Sequence, residues 1–268
     1  MREVQRDGER ALMSGILDSG SGGLTVLQAI RREFPSVDIV YFGDLAYAPY
    51  GNRSREELTV RTVEALKILV AHGATSIVSA CNSVSASLAI SIFDALEISP
   101  DRLIEMVGPT VASQRNSKER LLLVATQATI DSKIYQSAFS MVGKETQTLA
   151  LPELAGAIES GASQEVIASM LEAAFSSIDL EEIDSVLLAC THYPLVAEQF
   201  RRVVPERISL IDPADAVAER VLRDWWPREV RSGKLRFLVS KDSGVFRDRV
   251  ASFFPESAYS IEVVEPAV

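Results

Sequence analysis

The stretches SIVSAC (Ser76–Cys81) and SVLLAC (Ser185–Cys190) decide the fold. Each is a short apolar run that ends in a cysteine, and each is followed by small or hydrogen-bonding residues, namely Asn82, Ser83, Thr191 and His192. These are the only two cysteines in the chain, and they lie 109 residues apart. Strands as apolar as these predict sheets that are buried on both faces.

Other stretches repeat at nearly the same spacing. ILDSG (16–20) has a counterpart in LVATQ (123–127), which places Thr126 108 residues after Asp18. IVYFGD (39–44) and QTLALP (147–152) share that offset. The agreement predicts a duplicated α/β unit that contributes one thiol from each half. A symmetric pair of thiols is suited to a two-base proton transfer.

Strand-like and helix-like patterns alternate along the chain. We expect strands near 14–18, 37–42, 75–80, 103–107, 120–125, 145–150, 184–189, 207–211 and 235–240. Helices are expected near 22–34, 54–72, 83–97, 128–142, 163–176, 192–204, 213–226 and 243–253. The alternation predicts an α/β fold with mostly parallel sheets. Ligands bind beyond the carboxyl ends of such strands, where both cysteines stand.

The repeat predicts two similar α/β domains, related by a pseudo-twofold axis, with the active site in the cleft between them. Residues 1–13 are rich in charge and are expected to form a flexible N-terminal extension. We expect a first domain of residues 14–107 plus 213–268 and a second domain of residues 108–212. Prolines in VGPTVAS (107–113) and LIDPADAVA (210–218) suit the two crossings between them.

Composition narrows the class of protein. The formal net charge is −10, which argues against a nucleic-acid partner or an anionic membrane surface. The hydrophobic content of 47% is enough for large buried cores. No apolar run approaches the roughly 18 residues of a membrane span. We therefore expect a soluble cytoplasmic protein whose cysteines stay reduced.

Two loops at the expected strand ends are candidates for substrate contacts. DSGSGG (18–23) is a glycine-rich turn whose following helix could offer free amides to an anion, although Asp18 or Ser19 could simply cap that helix. In GDLAYAPYGNRS (43–54), Ser54 and Glu57 form an expected capping box. The cap leaves Tyr50 and Gly51 unexplained, and we expect them to be exposed and to contact substrate.

The cysteines admit several interpretations. At the start of a helix, the pKa of a thiol should fall from about 8.5 toward neutrality, so that either thiol could act as a base. Free cysteines are otherwise most often small buried hydrophobes. Cys190 and His192 could ligate zinc, but the chain has few other ligands of that type. They could also form a nucleophile and base for acyl transfer, which would leave Cys81 unexplained.

Several motifs together resemble the glutamate racemases of the cofactor-independent aspartate/glutamate racemase family. They span most of the chain and comprise DSGSGGLTVL (18–27), YFGDLAYAPYGNRS (41–54), ACNSVSA (80–86), VATQATIDSKIY (124–135) and LLACTHYPLV (187–196). The resemblance implies an isomerase that interconverts L- and D-glutamate and supplies D-glutamate for peptidoglycan. It also implies that no metal or organic cofactor takes part, and we expect a homodimer.

Residue roles follow from the same resemblance. Cys81 and Cys190 become the acid/base pair on opposite faces of the substrate α-carbon, with Asp18 and His192 as catalytic helpers. The implied substrate contacts are Asp18, Ser19, Tyr50, Gly51, Asn82, Ser83, Thr191 and His192.

One segment departs from the family pattern. In ALPELAGAIESG (150–161), Leu151 occupies a cysteine position, and Ala155–Gly156 replace a bulky Val-Pro pair. The smaller residues could widen the site. Aspartate racemisation by the same mechanism therefore remains an alternative, as does an amino-acid-binding or regulatory protein with little turnover.

Overall fold

The computed structural model describes residues 13–85, 99–225 and 232–265. The first strand begins at Met13, and residues 1–12 of the predicted N-terminal extension lie outside the described residues. Most of the helix predicted over 83–97 also lies outside them, since only its first turn is described.

Ten strands are found in the described ranges. They are β1 (Met13–Asp18), β2 (Ile39–Gly43), β3 (Ala74–Ser79), β4 (Leu103–Glu105), β5 (Leu121–Ala125), β6 (Thr146–Ala150), β7 (Ser185–Ala189), β8 (Ser209–Ile211), β9 (Leu235–Val239) and β10 (Tyr259–Val263). The α-helices are α1 (Leu24–Glu33), α2 (Arg55–Ala71), α3 (Asn82–Ser85), α4 (Val107–Gln114), α5 (Gln127–Ser132), α6 (Ile134–Met141), α7 (Leu154–Glu159), α8 (Gln164–Phe175), α9 (Ala197–Val203), α10 (Pro213–Trp225) and α11 (Gly244–Phe253).

The strands form two sheets in which every pairing is parallel. One sheet has the order β10-β9-β2-β1-β3-β4, and the other has the order β6-β5-β7-β8. The predicted α/β class with parallel sheets is thereby confirmed. The orders β2-β1-β3-β4 and β6-β5-β7-β8 are the same when each number is raised by four, which supports the predicted duplication.

Matching the strands by their last residues changes the predicted repeat by one residue. Asp18 pairs with Gly43 at the end of β1, and Ala125 pairs with Ala150 at the end of β5. From Asp18 to Ala125 and from Gly43 to Ala150 the offset is 107 residues, not 108. The structural counterpart of Asp18 is therefore Ala125 and not Thr126, while the two cysteines keep their offset of 109.

Three elements escaped the sequence analysis, and one predicted helix is divided. Helix α4 begins at Val107, where a crossing between domains was expected, and helix α7 and strand β10 had no predicted counterpart. The helix predicted over 128–142 is interrupted at Lys133, whose φ of 55° is left-handed. A residue in that conformation ends a helix, because L-residues rarely continue one there.

Hydrophobic cores cover both faces of each sheet, as the apolar strands predicted. Along β1, Ile16 packs into the cluster under α1 and α10, while its neighbour Leu17 packs on the opposite face under α2. Along β5, Val124 and Leu123 divide in the same way between the clusters under α8 and α6. Because alternate residues point to opposite faces, a continuous apolar run fills both cores.

The strands of the six-stranded sheet come from residues 13–105 and 235–263, and those of the four-stranded sheet from residues 121–211. Helix α10 packs against α1, so the chain after Pro213 returns to the first sheet. This distribution supports the predicted division into two domains, whose boundaries stay a prediction. Within the described residues, no helix is long and apolar enough to cross a membrane.

The close approach of the loop after β2 to the end of β5 can be tested at Gly51. A Cβ atom at this position would lie 2.6 Å from Cβ and Cγ2 of Thr126, which is far inside van der Waals contact. We expect Gly51→Ala to lower the free energy of unfolding by about 1–3 kcal/mol through overpacking. Gly244→Ala is the matched control, since a Cβ there meets nothing within 4 Å. Equal stability of the two variants in urea denaturation would contradict the contact.

Candidate active site

Both cysteines line one small cavity between the two sheets. Cys81 follows β3 and Cys190 follows β7, and their exposed fractions are only 5% and 6%. The cavity measures about 10 Å³, close to the space of a single water position. Its lining consists of Ser19, Pro49, Tyr50, Gly51, Cys81, Asn82, Ser83, Thr126, Ala155, Cys190, Thr191 and His192.

Every predicted site residue except Asp18 belongs to that lining. Asp18 lies directly behind it and is fully buried. The hydroxyl of Thr191 donates to Oδ2 of Asp18 at 3.0 Å, and the backbone N–H of Gly20 donates to Oδ1 at 2.9 Å. The fold thus brings the predicted set together across the two sheets, while the role of each residue stays a prediction.

The glycine-rich turn leads into helix α1 with a glycine at the N-cap position. Helix α1 begins at Leu24 with Gly23 at the N-cap position. Neither Asp18 nor Ser19 holds that position, but the Asp18 carboxylate accepts hydrogen bonds from the backbone N–H groups of Gly20 and Gly23. Both side chains also face the site, since Ser19 lines the cavity and Asp18 bonds to Thr191.

The environment of Cys81 does not favour a thiolate. Burial raises the pKa of the thiol to about 12, and the negative charge of Asp18 adds to the effect. The thiol donates a hydrogen bond to Oγ of Ser19 across 3.7 Å. The expectation of a lowered pKa is wrong for this residue, because loss of water outweighs the favourable contribution of the Val84 backbone N–H.

Cys190 lies beside a buried ion pair. Its Sγ is 3.9 Å from Nδ1 of His192, whose Nε2 is 2.6 Å from Oε2 of Glu159. Burial opposes the imidazolium, but the hydrogen bonds and charges of Cys190 and Glu159 outweigh it and raise the pKa of His192 to about 10. Burial likewise opposes the Glu159 carboxylate, whose pKa nevertheless falls to about 2 through His192 and Ser21.

Sequence analysis missed Glu159, the acceptor of this network. Its Oε2 also accepts from the backbone N–H of Ser21 at 3.0 Å and from the Ser21 hydroxyl at 2.7 Å. The segment 150–161 contained a sequence signal that could have identified Glu159. If 154–159 is assigned as a helix, Glu159 falls one turn after Ala155 on the face that borders the cavity, where a carboxylate needs a buried partner.

A second group of polar side chains lies near Cys81. The hydroxyl of Ser83 is within 3.1 Å of Oγ1 of Thr126, which joins the first sheet to the second. The Tyr135 hydroxyl donates to Oδ1 of Asn82 at 2.6 Å. Among the described residues, Nδ2 of Asn82 has no hydrogen-bond partner although it is buried. Such an unpaired donor is costly unless a ligand supplies an acceptor.

The loop after β2 is more buried than its sequence predicted. Tyr50 is 1% exposed, and its hydroxyl donates to the carboxylate of Asp44. Burial and the charge of Asp44 raise the pKa of Tyr50. The prediction that Tyr50 and Gly51 are exposed is therefore wrong, although both line the cavity. The capping box of Ser54 and Glu57 is confirmed.

Metal ligation finds little support in this arrangement. No group of three or more His, Cys, Asp or Glu side chains in residues 13–85, 99–225 and 232–265 is placed to hold a metal ion. The groups that the site brings together are two thiols, an imidazolium with its carboxylate, and a buried aspartyl group.

Comparison with known proteins identifies relatives over most of the chain. The sequence profile of the Asp/Glu/Hydantoin racemase family matches residues 22–221. A glutamate racemase of Saccharopolyspora erythraea is 36% identical over 215 residues, which cover 78% of each protein.

Solved structures show the same fold. A glutamate racemase isoform from Bacillus anthracis is 26% identical, with a TM-score of 0.84, over 96% of this chain and 98% of its own. The glutamate racemase from Francisella tularensis, solved in complex with D-glutamate, is 25% identical with a TM-score of 0.81 over the same shares of the two chains.

The ion pair of His192 and Glu159 predicts a defined pH dependence of stability. The folded pKa of His192 is raised above 6.5, so its contribution is complete below that pH and is lost as pH rises toward about 10. The folded pKa of Glu159 is lowered below 4.5, so its contribution is lost as pH falls from there toward about 2. The pair should therefore stabilise the fold most between about pH 4.5 and 6.5.

Glu159→Gln tests this window. We expect the variant to lose about 1–3 kcal/mol of unfolding free energy inside the window and less on either side of it. Urea denaturation of both proteins from pH 3 to about pH 10 measures the difference. A difference that is independent of pH would contradict the assignment of charges.

Proposed function

Because the chain belongs to the Asp/Glu/Hydantoin racemase family and is an isomerase, we propose that it interconverts L- and D-glutamate by a two-thiol acid/base mechanism. The observation that carries the proposal is the placement of Cys81 and Cys190 in one cavity, at matched strand ends of two sheets with the same strand order. The D-glutamate complex of the Francisella tularensis relative supports the choice of substrate.

In the proposed reaction, one cysteine sulfur removes the α-proton while the opposite thiol delivers a proton to the other face. The C–H bond breaks as an S–H bond forms, and the electron pair passes into the carboxyl group as a planar intermediate. The second S–H bond then gives its proton to the carbon. Each direction of the reaction exchanges the roles of Cys81 and Cys190.

The neighbouring groups supply proton relays on the two sides. His192 lies within hydrogen-bonding reach of Cys190, so it can receive or return the proton of that sulfur. The charge of Asp18 acts on the Cys81 thiol, and burial raises the pKa of Asp18 itself. A raised pKa makes the carboxylate a stronger proton acceptor, which suits a group that assists a thiol.

Negative charge on the intermediate requires fixed hydrogen-bond donors. The unpaired Nδ2 of Asn82 is a buried donor at the cavity and suits a substrate carboxylate. Ser83 and Thr191 line the same cavity and complete a set of short polar side chains from both sheets. We propose that these residues, with Ser19, Tyr50 and Gly51, contact the substrate and that no metal or organic cofactor takes part.

The remaining biological assignments rest on the family. We propose that the product D-glutamate enters peptidoglycan synthesis, that the protein acts in the cytoplasm, and that it forms a homodimer. The cavity has room for about one water position. We propose that the site widens when the substrate binds.

Replacement of either thiol should stop racemisation. Because a serine hydroxyl is a far weaker base at neutral pH, we expect Cys81→Ser and Cys190→Ser each to reduce kcat by at least about 10²–10⁴-fold. Circular dichroism checks the conversion of both enantiomers, and thermal melting checks the fold. Ordinary activity in either variant would overturn the mechanism.

Deuterium exchange distinguishes this mechanism from hydrolysis. In deuterium oxide, the unmodified protein should exchange the α-proton of both enantiomers, whereas each serine variant should retain slow exchange of one enantiomer only. A hydrolase that uses Cys190 and His192 would tolerate loss of Cys81 and would exchange neither.

The segment 150–161, which departs from the family pattern, predicts that Ala155 affects substrate specificity. Ala155 lines the cavity, whereas Gly156 lies outside that lining, and a Cβ there would stand 3.5 Å from Pro49. Ala155→Val should lower kcat/KM for acidic amino acids longer than glutamate by about 10-fold relative to glutamate, because the added methyl groups fill space beside the substrate. Ala157→Val on the same helix is the control, and equal ratios in both variants would show that Ala155 does not set specificity.

A further inference from the structure

Arg249 reaches from the C-terminal part of the chain to the second sheet. It lies in α11, and its side chain is 19% exposed. Its Nη1 donates to Oγ of Ser21 in the glycine-rich turn, and its Nη2 donates to the backbone carbonyl of Ile158 in α7. Nη1 also lies 3.7 Å from Oε2 of Glu159. One guanidinium therefore joins three separate segments beside the ion pair.

This arrangement differs from an ordinary surface contact. Arg247 lies on the same helix and pairs with Asp242, but their side chains are 46% and 63% exposed. Exposed pairs of that kind contribute little. Arg249 instead uses the rigid fork of its guanidinium on two buried acceptors, a geometry that a flexible ammonium cannot reproduce.

The contacts of Arg249 fix both supports of Glu159. Because the Ser21 hydroxyl accepts from Arg249, its own hydrogen is directed to Oε2 of Glu159. The carbonyl of Ile158 belongs to the residue directly before Glu159, so the second contact holds the last turn of α7. Removal of the guanidinium frees the hydroxyl and the helix end together.

We propose that Arg249 is a positioning residue that holds the Glu159 carboxylate against Nε2 of His192 and so prepares His192 for proton exchange with Cys190. The proposal rests on the proposed racemase function for its kinetic consequence, but its structural part does not depend on turnover. No substrate contact is assigned to Arg249 itself.

The direction in which the pKa of His192 changes when Arg249 is replaced distinguishes a positioning role from a simple charge effect. The titratable or charged groups that face the pair are Arg249 of α11, Asp18 of β1, Cys190 at the end of β7 and Tyr41 of β2. As a neighbouring cation, Arg249 can only oppose the imidazolium, so its loss would raise the pKa of His192. If Arg249 positions Glu159, its loss moves the carboxylate away, and the pKa of His192 falls.

The experiment uses NMR of the imidazole nitrogens, because the chain has only two histidines and His72 serves as an internal reference. We expect Arg249→Met to lower the pKa of His192 by about one unit and to leave that of His72 unchanged. Arg249→Lys keeps the opposing charge without the fork and should lower the pKa of His192 at least as far. Arg247→Met is the matched control on the same helix and should change neither histidine.

A double-mutant cycle tests whether Arg249 acts through Glu159. In a Glu159→Gln background, Arg249→Met should no longer lower the pKa of His192, because the positioned carboxylate is gone and only the loss of an opposing cation remains. In the unmodified background it should lower kcat for glutamate by about tenfold, with a smaller change in KM. Arg249→Lys decides the question if the methionine variant does not fold.

The results for the Arg249 variants distinguish failure of the positioning role from failure of the proposed reaction. A His192 pKa that rises or stays unchanged in Arg249→Met, or that is unchanged in Arg249→Lys when the methionine variant is unfolded, overturns the positioning role. Equal shifts with and without Glu159 overturn it as well. A lowered pKa in a protein that does not racemise glutamate would support the positioning role and reject the proposed reaction instead.

Discussion

One carboxylate oxygen, Oε2 of Glu159, joins the two halves of the site. It accepts from the backbone and side chain of Ser21, which follows β1 of the first sheet, and lies 2.6 Å from Nε2 of His192, which follows β7 of the second. A largely buried carboxylate is stabilised as an anion when such hydrogen bonds replace its contacts with water. The closed form of the cleft and the charge on His192 therefore depend on the same contacts.

The two halves of the chain share a strand order, but the polar groups beside their cysteines differ. Asp18 ends β1, and its register counterpart Ala125 carries no acid. On the Cys190 side, an imidazole from the following loop takes the place of that carboxyl group, with Glu159 behind it. The two thiols thus stand at matched strand ends, whereas the polar groups beside them differ between the two halves. A racemase must handle mirror-image substrates with such non-identical sides.

The sequence predicted the parts that repeat. All nine predicted strands are present, because apolar runs between polar turns mark buried parallel strands, and the cysteine positions followed from the strand ends. Helix α7 was not predicted because it has only six residues, three of which are Ala or Gly, and so short a segment shows little periodicity; Glu159 was missed with it. The pKa of Cys81 could not follow from a helix N-terminus alone. Its direction depends on burial and on Asp18, which only the assembled fold brings near.

The high pKa of Cys81 applies to a cavity that has room for little more than one water. In that state, burial and Asp18 both favour the neutral thiol, which suits the delivery of a proton but not its removal. In the proposed reaction, the substrate brings an α-ammonium group into the same cavity, and a nearby cation favours a thiolate. Entry of the amino acid therefore alters the balance that the empty fold sets. Substrate charge then becomes part of the acid/base machinery, which gives a physical reason for an amino acid with a free α-ammonium group to be the reactive species.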